Sequence, residues 1–252
     1  MIDRIVTSLR YRAGAGVSRA LARRPALLRC DPPVVSFTFD DVPRSAVATG
    51  AELLEQRDAR GSYYVSAGRL GQSGSGERIL DAADVTALAG RGHEIGCHTF
   101  AHARPGGRHE PEIEADLDEN ARALAGILPG LRLSSFAYPF GDVTLALKRA
   151  AGRRFATCRV IRGGVNAGRV DLALLRATPI YGATIDPAGL DARLDEADAR
   201  RGWLVFYTHD VRENPSAHGC TPEVLARTLD AVLARGFRVL PVREALELAR
   251  AD

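Results

Sequence analysis

The sequence has few of the residues that mark zinc-knuckle or disulfide-stapled proteins. Its four cysteines lie far apart, at Cys30, Cys97, Cys158 and Cys220, and form no C-x-x-C pair. A zinc knuckle needs such pairs, and disulfide frameworks are typical of shorter, cysteine-rich secreted chains. We therefore expect reduced thiols, as in cytosolic proteins.

Long apolar runs are also missing. No stretch of 18 apolar residues occurs, which excludes an ordinary transmembrane helix. The first 30 residues contain no uninterrupted apolar segment, because Arg4, Arg10, Arg12 and Arg19 divide them. A conventional signal peptide is not expected. The sequence favours a cytoplasmic protein, and the inner face of the membrane is a candidate site within the cytoplasm.

Lysine is almost absent, since Lys148 is the only lysine among the 34 basic residues. The charge is unevenly distributed. Residues 1–30 carry seven arginines and one aspartate, so the remaining residues have a net charge of −3 although the whole chain has +3. An acidic body lacks the basic groove that phosphate-backbone binding requires, and nucleic acid is not expected as a partner.

The chain has enough apolar residues for a substantial core: 46% of its 252 residues are hydrophobic and 26% are charged. Pro32-Pro33 marks a boundary, and we expect one α/β domain over residues 32–252. In residues 1–31, apolar residues alternate with arginines, which predicts a basic and mostly helical arm. Such an arm either contacts an anionic membrane through residues 1–30 or packs as an additional helix across the domain.

From residue 34 onward, short β-rich runs alternate with longer helical periodicity. The clearest helices are 111–128 and 222–235, the second with Thr221 as N-cap and Pro222 as its first residue. Strands are predicted near residues 34–39, 62–66, 93–97, 134–138, 155–159, 174–178, 203–208 and 237–241. Repeated βα units favour a single irregular (β/α) barrel, with a doubly wound parallel sheet as the alternative.

Two adjacent carboxylates end the first of these strands. The run V-V-S-F-T-F leads into Asp40 and Asp41, and α/β folds place their active sites at the carboxyl ends of strands. The alternative is structural, with Asp41 capping the following helix and Asp40 solvated. The pair alone does not decide between these interpretations.

A histidine pair follows the third strand. His98 and His102 are four residues apart in H-T-F-A-H, and on a helical turn this spacing directs both imidazoles at one point. Two imidazoles and a carboxylate from Asp41 or Asp40 make an open site for a divalent metal. The carboxylates and the histidines therefore support one common metal site.

Two further segments reach the same rim. The strand W-L-V-F-Y ends in Thr208-His209-Asp210, and His209 is a fourth ligand, a general acid or a histidine bonded to Asp210. The segment S-S-F-A-Y-P-F-G, residues 134–141, ends in a turn where a free backbone N–H could meet an oxyanion. The alternative for this segment is a tight strand-to-helix connection.

The order of these motifs, T-F-D-D, H-E-I-G-C-H-T-F-A-H, F-A-Y-P-F-G and F-Y-T-H-D, resembles the polysaccharide deacetylase family, also called the NodB-homology family or carbohydrate esterase family 4. The resemblance spans about residues 34–241. It implies an irregular (β/α) barrel of the NodB-homology type. It also implies that Asp41, His98 and His102 hold one divalent metal ion, usually zinc.

The resemblance further implies how the chain would act on its substrate, an N-acetylated carbohydrate. The metal would polarise the acetyl carbonyl and activate a water molecule, and Asp40 would be the catalytic base. The Phe140 N–H would help to bind the oxyanion, and His209 would be the general acid for the leaving amine. The implied function is removal of acetyl groups from N-acetylated sugars, in surface polysaccharide or lipid-linked glycan biosynthesis.

The sequence departs from the family pattern in two places. Ala137 stands where the third motif often has an arginine that pairs with the catalytic aspartate, which indicates the subgroup with A-Y-P-F-G. Arg162, in I-R-G-G-V-N, is the predicted replacement that orients Asp40, unless it is a loop charge facing solvent or phosphate. The Asp-rich fourth motif is not evident, and Asp171 is a candidate to support His209.

Two other functions stay open. One is hydrolysis of an amide or imide in a small non-sugar substrate, against which the retention of all three implied metal ligands argues. The other is a non-catalytic family member that binds glycans, against which intact Asp40 and His209 argue.

Overall fold

The computed structural model describes residues 18, 20–74, 76–181 and 185–249, and its centre is a barrel of parallel strands. Eight strands neighbour one another in the order β10 (Leu175–Arg176), β8 (Thr157–Val160), β7 (Ser135–Ala137), β6 (Glu94–Cys97), β3 (Ser62–Val65), β2 (Val34–Asp40), β12 (Trp203–Thr208) and β11 (Thr178–Pro179). Another short strand, β13 (Arg238–Val239), pairs in parallel with the start of β2. Outside the barrel, β4 (Ser73–Gly74) and β5 (Glu77–Arg78) pair antiparallel. The predicted (β/α) barrel is confirmed.

One short segment nearly closes the barrel. The strand predicted over 174–178 is interrupted, and its two parts pair in opposite directions around the barrel, β10 with β8 and β11 with β12. Near the start of β12 the remaining gap is bridged by Asn166. Its amide nitrogen donates to the carbonyls of Arg176 (3.0 Å) and Trp203 (3.2 Å), and its oxygen accepts from the Arg176 N–H (2.9 Å). The Asn166 backbone also pairs with that of Trp203, so this residue links the backbone of β10 to that of β12.

Helices surround the barrel. They are α1 (Ala51–Glu55), α2 (Ala82–Gly90), α3 (Glu110–Ile127), α4 (Leu145–Arg154), α5 (Pro187–Ala199), α6 (Pro222–Ala234) and α7 (Val242–Ala249). A π-helical turn (Ala46–Gly50) precedes α1, and 3-10 helices at Ala67–Arg69 and Pro139–Gly141 follow β3 and β7. The two helices predicted most clearly are confirmed as α3 and α6, and Thr221 caps α6. None of the helices in the described part of the chain has the length and apolar character needed to cross a membrane.

The N-terminal arm, predicted to be mostly helical, is helical at the described residues 18 and 20 but forms a strand near its end. β1 (Pro25–Leu28) pairs antiparallel with β9 (Gly168–Asp171), a strand that was not predicted from the sequence. Leu28 is buried while Leu27 is 57% exposed, which is the two-residue alternation of a strand with one buried face. Leu28 packs in the same apolar cluster as Cys30. Residues 1–17 and 19 of the predicted arm lie outside the described residues.

Polar contacts close the amino-terminal end of the barrel. Glu94, the first residue of β6, accepts hydrogen bonds from Ser62 Oγ (2.7 Å), Ser135 Oγ (2.7 Å) and the Arg243 N–H (2.9 Å). The last of these donors belongs to the first turn of α7, where the helix dipole favours a negative charge. The opposite rim, formed by the carboxyl ends of the strands, is therefore the accessible end of the barrel.

Candidate metal centre and catalytic rim

Asp41, His98 and His102 lie together at the carboxyl-terminal rim. His102 Nε2 is 3.2 Å from Asp41 Oδ1 and His98 Nε2 is 4.0 Å from the same oxygen. One ligand atom from each residue lies within 4.8 Å of the other two. Asp41 directly follows β2 and His98 directly follows β6, so the strand ends bring the three side chains together.

The histidine pair is not on a helical turn, which corrects the expectation from its spacing. His102 lies in a loop with φ of 52°, and Asp41 has φ of 56°. Left-handed conformations are rare for residues other than glycine and persist only where the surrounding structure holds them. The triad is therefore assembled by constrained loop backbone at two strand ends.

The donor set fits a divalent metal. His98 Nδ1 donates to the Ala137 carbonyl oxygen at 2.8 Å, which leaves the Nε2 lone pair facing the triad. Asp41 Oδ1 is buried and accepts no aligned hydrogen bond from a described residue. Burial lowers the pKa of His98 and lowers that of His102 to about 4, so both rings are neutral at neutral pH, as ligands must be. One carboxylate and two imidazoles are typical of zinc sites with an open position.

A guanidinium that the sequence did not single out lies beside the triad. Arg69, from the 3-10 helix after β3, has Nη1 2.9 Å from Asp41 Oδ1, in poor alignment for a hydrogen bond, and 3.4 Å from His102 Nδ1. Its charge offsets that of the Asp41 carboxylate. A metal ion bound by the triad would share this carboxylate with Arg69.

Asp40, the last residue of β2, is paired with Arg159 of β8. Both side chains are almost completely buried, and Arg159 Nη2 donates a hydrogen bond to Asp40 Oδ1. The Arg159 Cζ lies 4.6 Å from the ring centroid of Tyr64. Burial alone would raise the pKa of Asp40, but the charge of Arg159 and its hydrogen bond to the carboxylate oppose this and hold the pKa below its ordinary value. Asp40 is therefore ionised at neutral pH.

Arg162 does not take the place of the family's arginine, which corrects the prediction from the sequence. Its side chain is exposed and lines a separate cavity. Successive side chains in a strand point to opposite faces, so Arg159 shares the inward face of β8 with Thr157, whereas Arg162 lies beyond the last residue of that strand. The arginine that pairs with Asp40 therefore comes from within β8 and not from the loop after it.

His209 lies at the same rim, half-buried after the end of β12. Its Nδ1 donates to the His218 carbonyl oxygen at 3.2 Å, and its backbone N–H donates to the same oxygen at 3.0 Å. A neutral ring bonded in this way carries its hydrogen on Nδ1, and protonation adds the second hydrogen at Nε2. Asp171 does not support His209 as predicted, because it accepts hydrogen bonds from Lys148 Nζ (2.8 Å) and the Arg24 N–H (2.8 Å).

The loop that carries His218 is held by Asp210. The buried Asp210 carboxylate accepts hydrogen bonds from the Ser216 N–H (2.7 Å), Ser216 Oγ (2.5 Å) and Arg212 Nε (2.9 Å). Gly219 lies so close that an added Cβ would stand 2.3 Å from Asp210 Oδ1. Asp210 therefore supports its neighbour in sequence, His209, through the loop and not by direct contact.

Phe140 forms an exposed edge of the rim, at the turn predicted after β7. The residue has φ of 58° and a side chain that is 41% exposed. Its ring centroid lies 4.5 Å from that of His102, and the Cζ of Arg104 lies 4.2 Å from the Phe140 centroid. The role of the Phe140 N–H as an oxyanion donor stays a prediction.

Sequence reasoning missed Arg69, Arg159, Tyr64 and the His218 carbonyl. Arg159 had a signal, because arginine is almost never buried unless it is paired and this one lies inside a short apolar strand. Tyr64 follows Tyr63, and the sequence alone does not say which of the two faces inward. A backbone carbonyl carries no residue-specific signal at all.

Comparisons with known proteins agree with this geometry. A family model described as polysaccharide deacetylase matches residues 29–155. A chitin deacetylase of Arthroderma benhamiae is 25% identical over 214 residues, which are 84% of this chain and 51% of that protein. The chain thus spans about half the length of this relative.

Solved structures resemble the barrel. The chitin deacetylase of Colletotrichum lindemuthianum has a TM-score of 0.61 at 18% identity, with 87% of this chain and 90% of that chain covered. A family 4 acetyl xylan esterase from Clostridium thermocellum, in complex with a cobalt ion, has a TM-score of 0.60 at 20% identity, with 85% and 91% covered. At these identities the likeness establishes the fold.

Proposed function

Since the chain belongs to the polysaccharide deacetylase family, we propose that it is a metal-dependent hydrolase that removes acetyl groups from N-acetylated sugars. One observation carries the proposal: the Asp41, His98 and His102 triad lies at the same rim as an ionised Asp40 that is buried against Arg159. That combination supplies a metal site and a base side by side. We further propose that the chain belongs to the subgroup with A-Y-P-F-G in the third motif.

Asp41 Oδ1 and the Nε2 atoms of His98 and His102 would hold the metal. A divalent ion bound there supplies Lewis-acid polarisation of the acetyl carbonyl and lowers the pKa of a coordinated water. The Ala137 carbonyl fixes the His98 ring through Nδ1, so the ligand does not have to reorient on binding.

Asp40 would remove the proton from the attacking water. Its Oδ1 accepts from Arg159, so Oδ2 is the oxygen available for the proton. Because Arg159 holds Asp40 ionised, the base is ready at neutral pH. The Phe140 N–H would bind the developing oxyanion.

His209 would protonate the leaving amine from Nε2. Its Nδ1–H is bound to the His218 carbonyl, so an added proton is carried at Nε2. Transfer of that proton to the sugar nitrogen lets the C–N bond break, and the products are acetate and a free amino sugar.

We propose a cytoplasmic enzyme that acts on precursors of surface polysaccharide or on lipid-linked glycans, with residues 1–30 contacting the membrane. Seven arginines within these residues support the contact. Deletion of residues 1–17, which keeps β1 and the buried Leu28 in place, is expected to reduce binding to anionic liposomes, and unchanged binding would contradict this part of the proposal.

The activity is tested by acetate release from nucleotide-linked, lipid-linked and polymeric N-acetyl sugars. We expect release from at least one class, loss after chelation and recovery when zinc is restored. Opening of small cyclic amides or imides without acetate release from any sugar would favour the non-sugar hydrolase. Glycan binding without turnover would favour a non-catalytic member.

A further inference from the structure

Five arginines converge on a solvent-open cavity outside the catalytic rim. The cavity has a volume of about 680 Å³, and its arginines come from the segment before β1, the loop after β8, strands β9 and β10, and the end of α5. They are Arg23, Arg162, Arg169, Arg176 and Arg200. Neither the metal triad nor Asp40 or His209 lines it. We call this feature the arginine cavity.

The positive charge of the arginine cavity is not neutralised within the described ranges. Its one lining carboxylate, Asp171, is already paired with Lys148 Nζ at 2.8 Å. Arg200 pairs with Glu196 at 2.8 Å. Among the described residues, Arg23, Arg162 and Arg169 have no carboxylate within ion-pair distance.

This charge stands out from its surroundings. The chain after residue 30 has a net charge of −3, although it supplies four of the five arginines of the cavity. Residues 1–17, which precede the segment that contains Arg23, have three arginines and one aspartate and so add no net negative charge. Like charges that converge destabilise one another unless a counter-ion is bound. Guanidinium groups are the side chains best suited to phosphate oxygens, which they bind through paired N–H donors.

A second groove continues from the arginine cavity and shares Arg23, Arg169 and Val170 with it. The remaining lining of this groove, Pro25, Ala26 and Leu27, is apolar, and Leu27 is 57% exposed. The two features together present a cationic compartment next to an apolar strip. A phosphate group attached to an apolar chain would satisfy both compartments.

We propose that the arginine cavity binds a phosphate or diphosphate group. A lipid-linked phosphate and a soluble nucleoside diphosphate share this chemistry, and the apolar strip along β1 favours the lipid. The proposal does not depend on deacetylase activity, because none of its contacts involves the metal triad or Asp40.

Titration calorimetry with inorganic pyrophosphate tests the proposal, with EDTA present so that no metal at the triad takes up the anion. The double substitution Arg162→Gln and Arg169→Gln should weaken binding about tenfold or more, since each charge-assisted hydrogen bond contributes substantially. The control is Arg122→Gln with Arg227→Gln, two exposed arginines on α3 and α6, which should keep the wild-type affinity. Equal weakening in both double variants, or no weakening in the first, would overturn the proposal.

The source of the phosphate is distinguished with vesicles. Binding to phosphatidic acid vesicles that pyrophosphate displaces, and that the Arg162 and Arg169 variant loses, would support a lipid-linked group. Tighter binding of uridine diphosphate than of pyrophosphate, with no vesicle binding, would support a soluble nucleoside diphosphate. Failure of the wild-type protein to bind any of the three probes would refute the site, whatever its deacetylase activity.

Discussion

Replacing Arg159 by methionine should uncouple the base from the cation that keeps it ionised. Methionine has a similar length and no charge, so the change removes the ion pair with Asp40 while leaving much of the packing over Tyr64. Removing one partner of a buried pair costs roughly 3–5 kcal/mol when the other charge stays buried. This is a large part of the roughly 5–15 kcal/mol by which most domains are stable.

The pH dependence of this loss has a definite sign. In the wild-type protein the pKa of Asp40 is depressed, so its stabilising contribution is present above the unfolded-state pKa and is lost as the pH falls through the folded-state value. In Arg159→Met, burial should raise the pKa of Asp40. Ionised Asp40 then destabilises the variant at neutral pH, and this cost disappears on acidification.

Denaturant unfolding across the acidic to neutral range measures the effect. The stability difference between wild type and Arg159→Met should be largest near neutral pH and shrink as the pH falls. The acidic limb of the kcat/KM profile should move to higher pH, because Asp40 acts as a base only when it is ionised, and below the new limb kcat/KM should fall roughly 10-fold per pH unit.

Arg162→Met is the matched control, since Arg162 lies only three residues after Arg159, just beyond the end of β8. It should change stability by about 0.5 kcal/mol or less, as exposed substitutions do, and leave the acidic limb in place. A shift of the limb by Arg162→Met, or wild-type stability in Arg159→Met, would refute the assignment of Arg159.

Two further changes test how the rim is supported. Asp210→Asn should lower kcat by roughly 10-fold to 100-fold and keep the metal affinity, because the loop no longer holds the His218 carbonyl against His209 and part of the general-acid contribution is lost. Nitrogen NMR of the His209 ring should then show both neutral tautomers. An unchanged Nδ1–H tautomer would contradict this prediction. Gly96→Ala should destabilise the protein by about 1–3 kcal/mol in thermal unfolding, because the added Cβ would stand 2.6 Å from the Tyr64 ring and 2.9 Å from Ser135 Oγ, whereas Gly126→Ala, which meets no neighbour in α3, should not destabilise it.

The residues at strand ends could be predicted from the sequence. Asp41 and His98 directly follow apolar strands, and parallel strands bring their carboxyl ends to one rim. Strand order and histidine spacing therefore predicted that the carboxylates and the histidines meet, whereas the choice of Asp41 over Asp40 came from the family resemblance and the loop conformation of His102 was not predicted. Two histidines four residues apart look the same in sequence whether they lie on a helix or in a loop. Which of the two conformations forms depends on tertiary contacts.

The partners behind the rim were less accessible to prediction. The strand expected over 155–159 ended at Arg159, but the structure places that residue third in a strand that begins at Thr157. Which face of β8 lines the barrel depends on its register with β7, and this register is set by packing. The His209 ring is oriented by a hydrogen bond to the backbone carbonyl of His218. Every residue type has this carbonyl, so the residue at position 218 does not indicate the contact.

The β1 strand was missed for a related reason. A short apolar run rich in alanine and leucine favours a helix by intrinsic propensity. Pairing with β9 supplies the backbone hydrogen bonds instead, and that partner lies more than a hundred residues away in sequence. Local pattern reasoning has no access to such a contact.

Parallel measurement of bound zinc and acetate release in the wild-type protein, Asp40→Asn and His98→Ala tests the central claim most directly. The wild type should bind one zinc ion and release acetate from an N-acetyl sugar. Asp40→Asn should keep the zinc and lose turnover, because the base is gone while the triad is intact, and His98→Ala should lose both. Full acetate release by Asp40→Asn, or turnover by His98→Ala without bound zinc, would contradict the account.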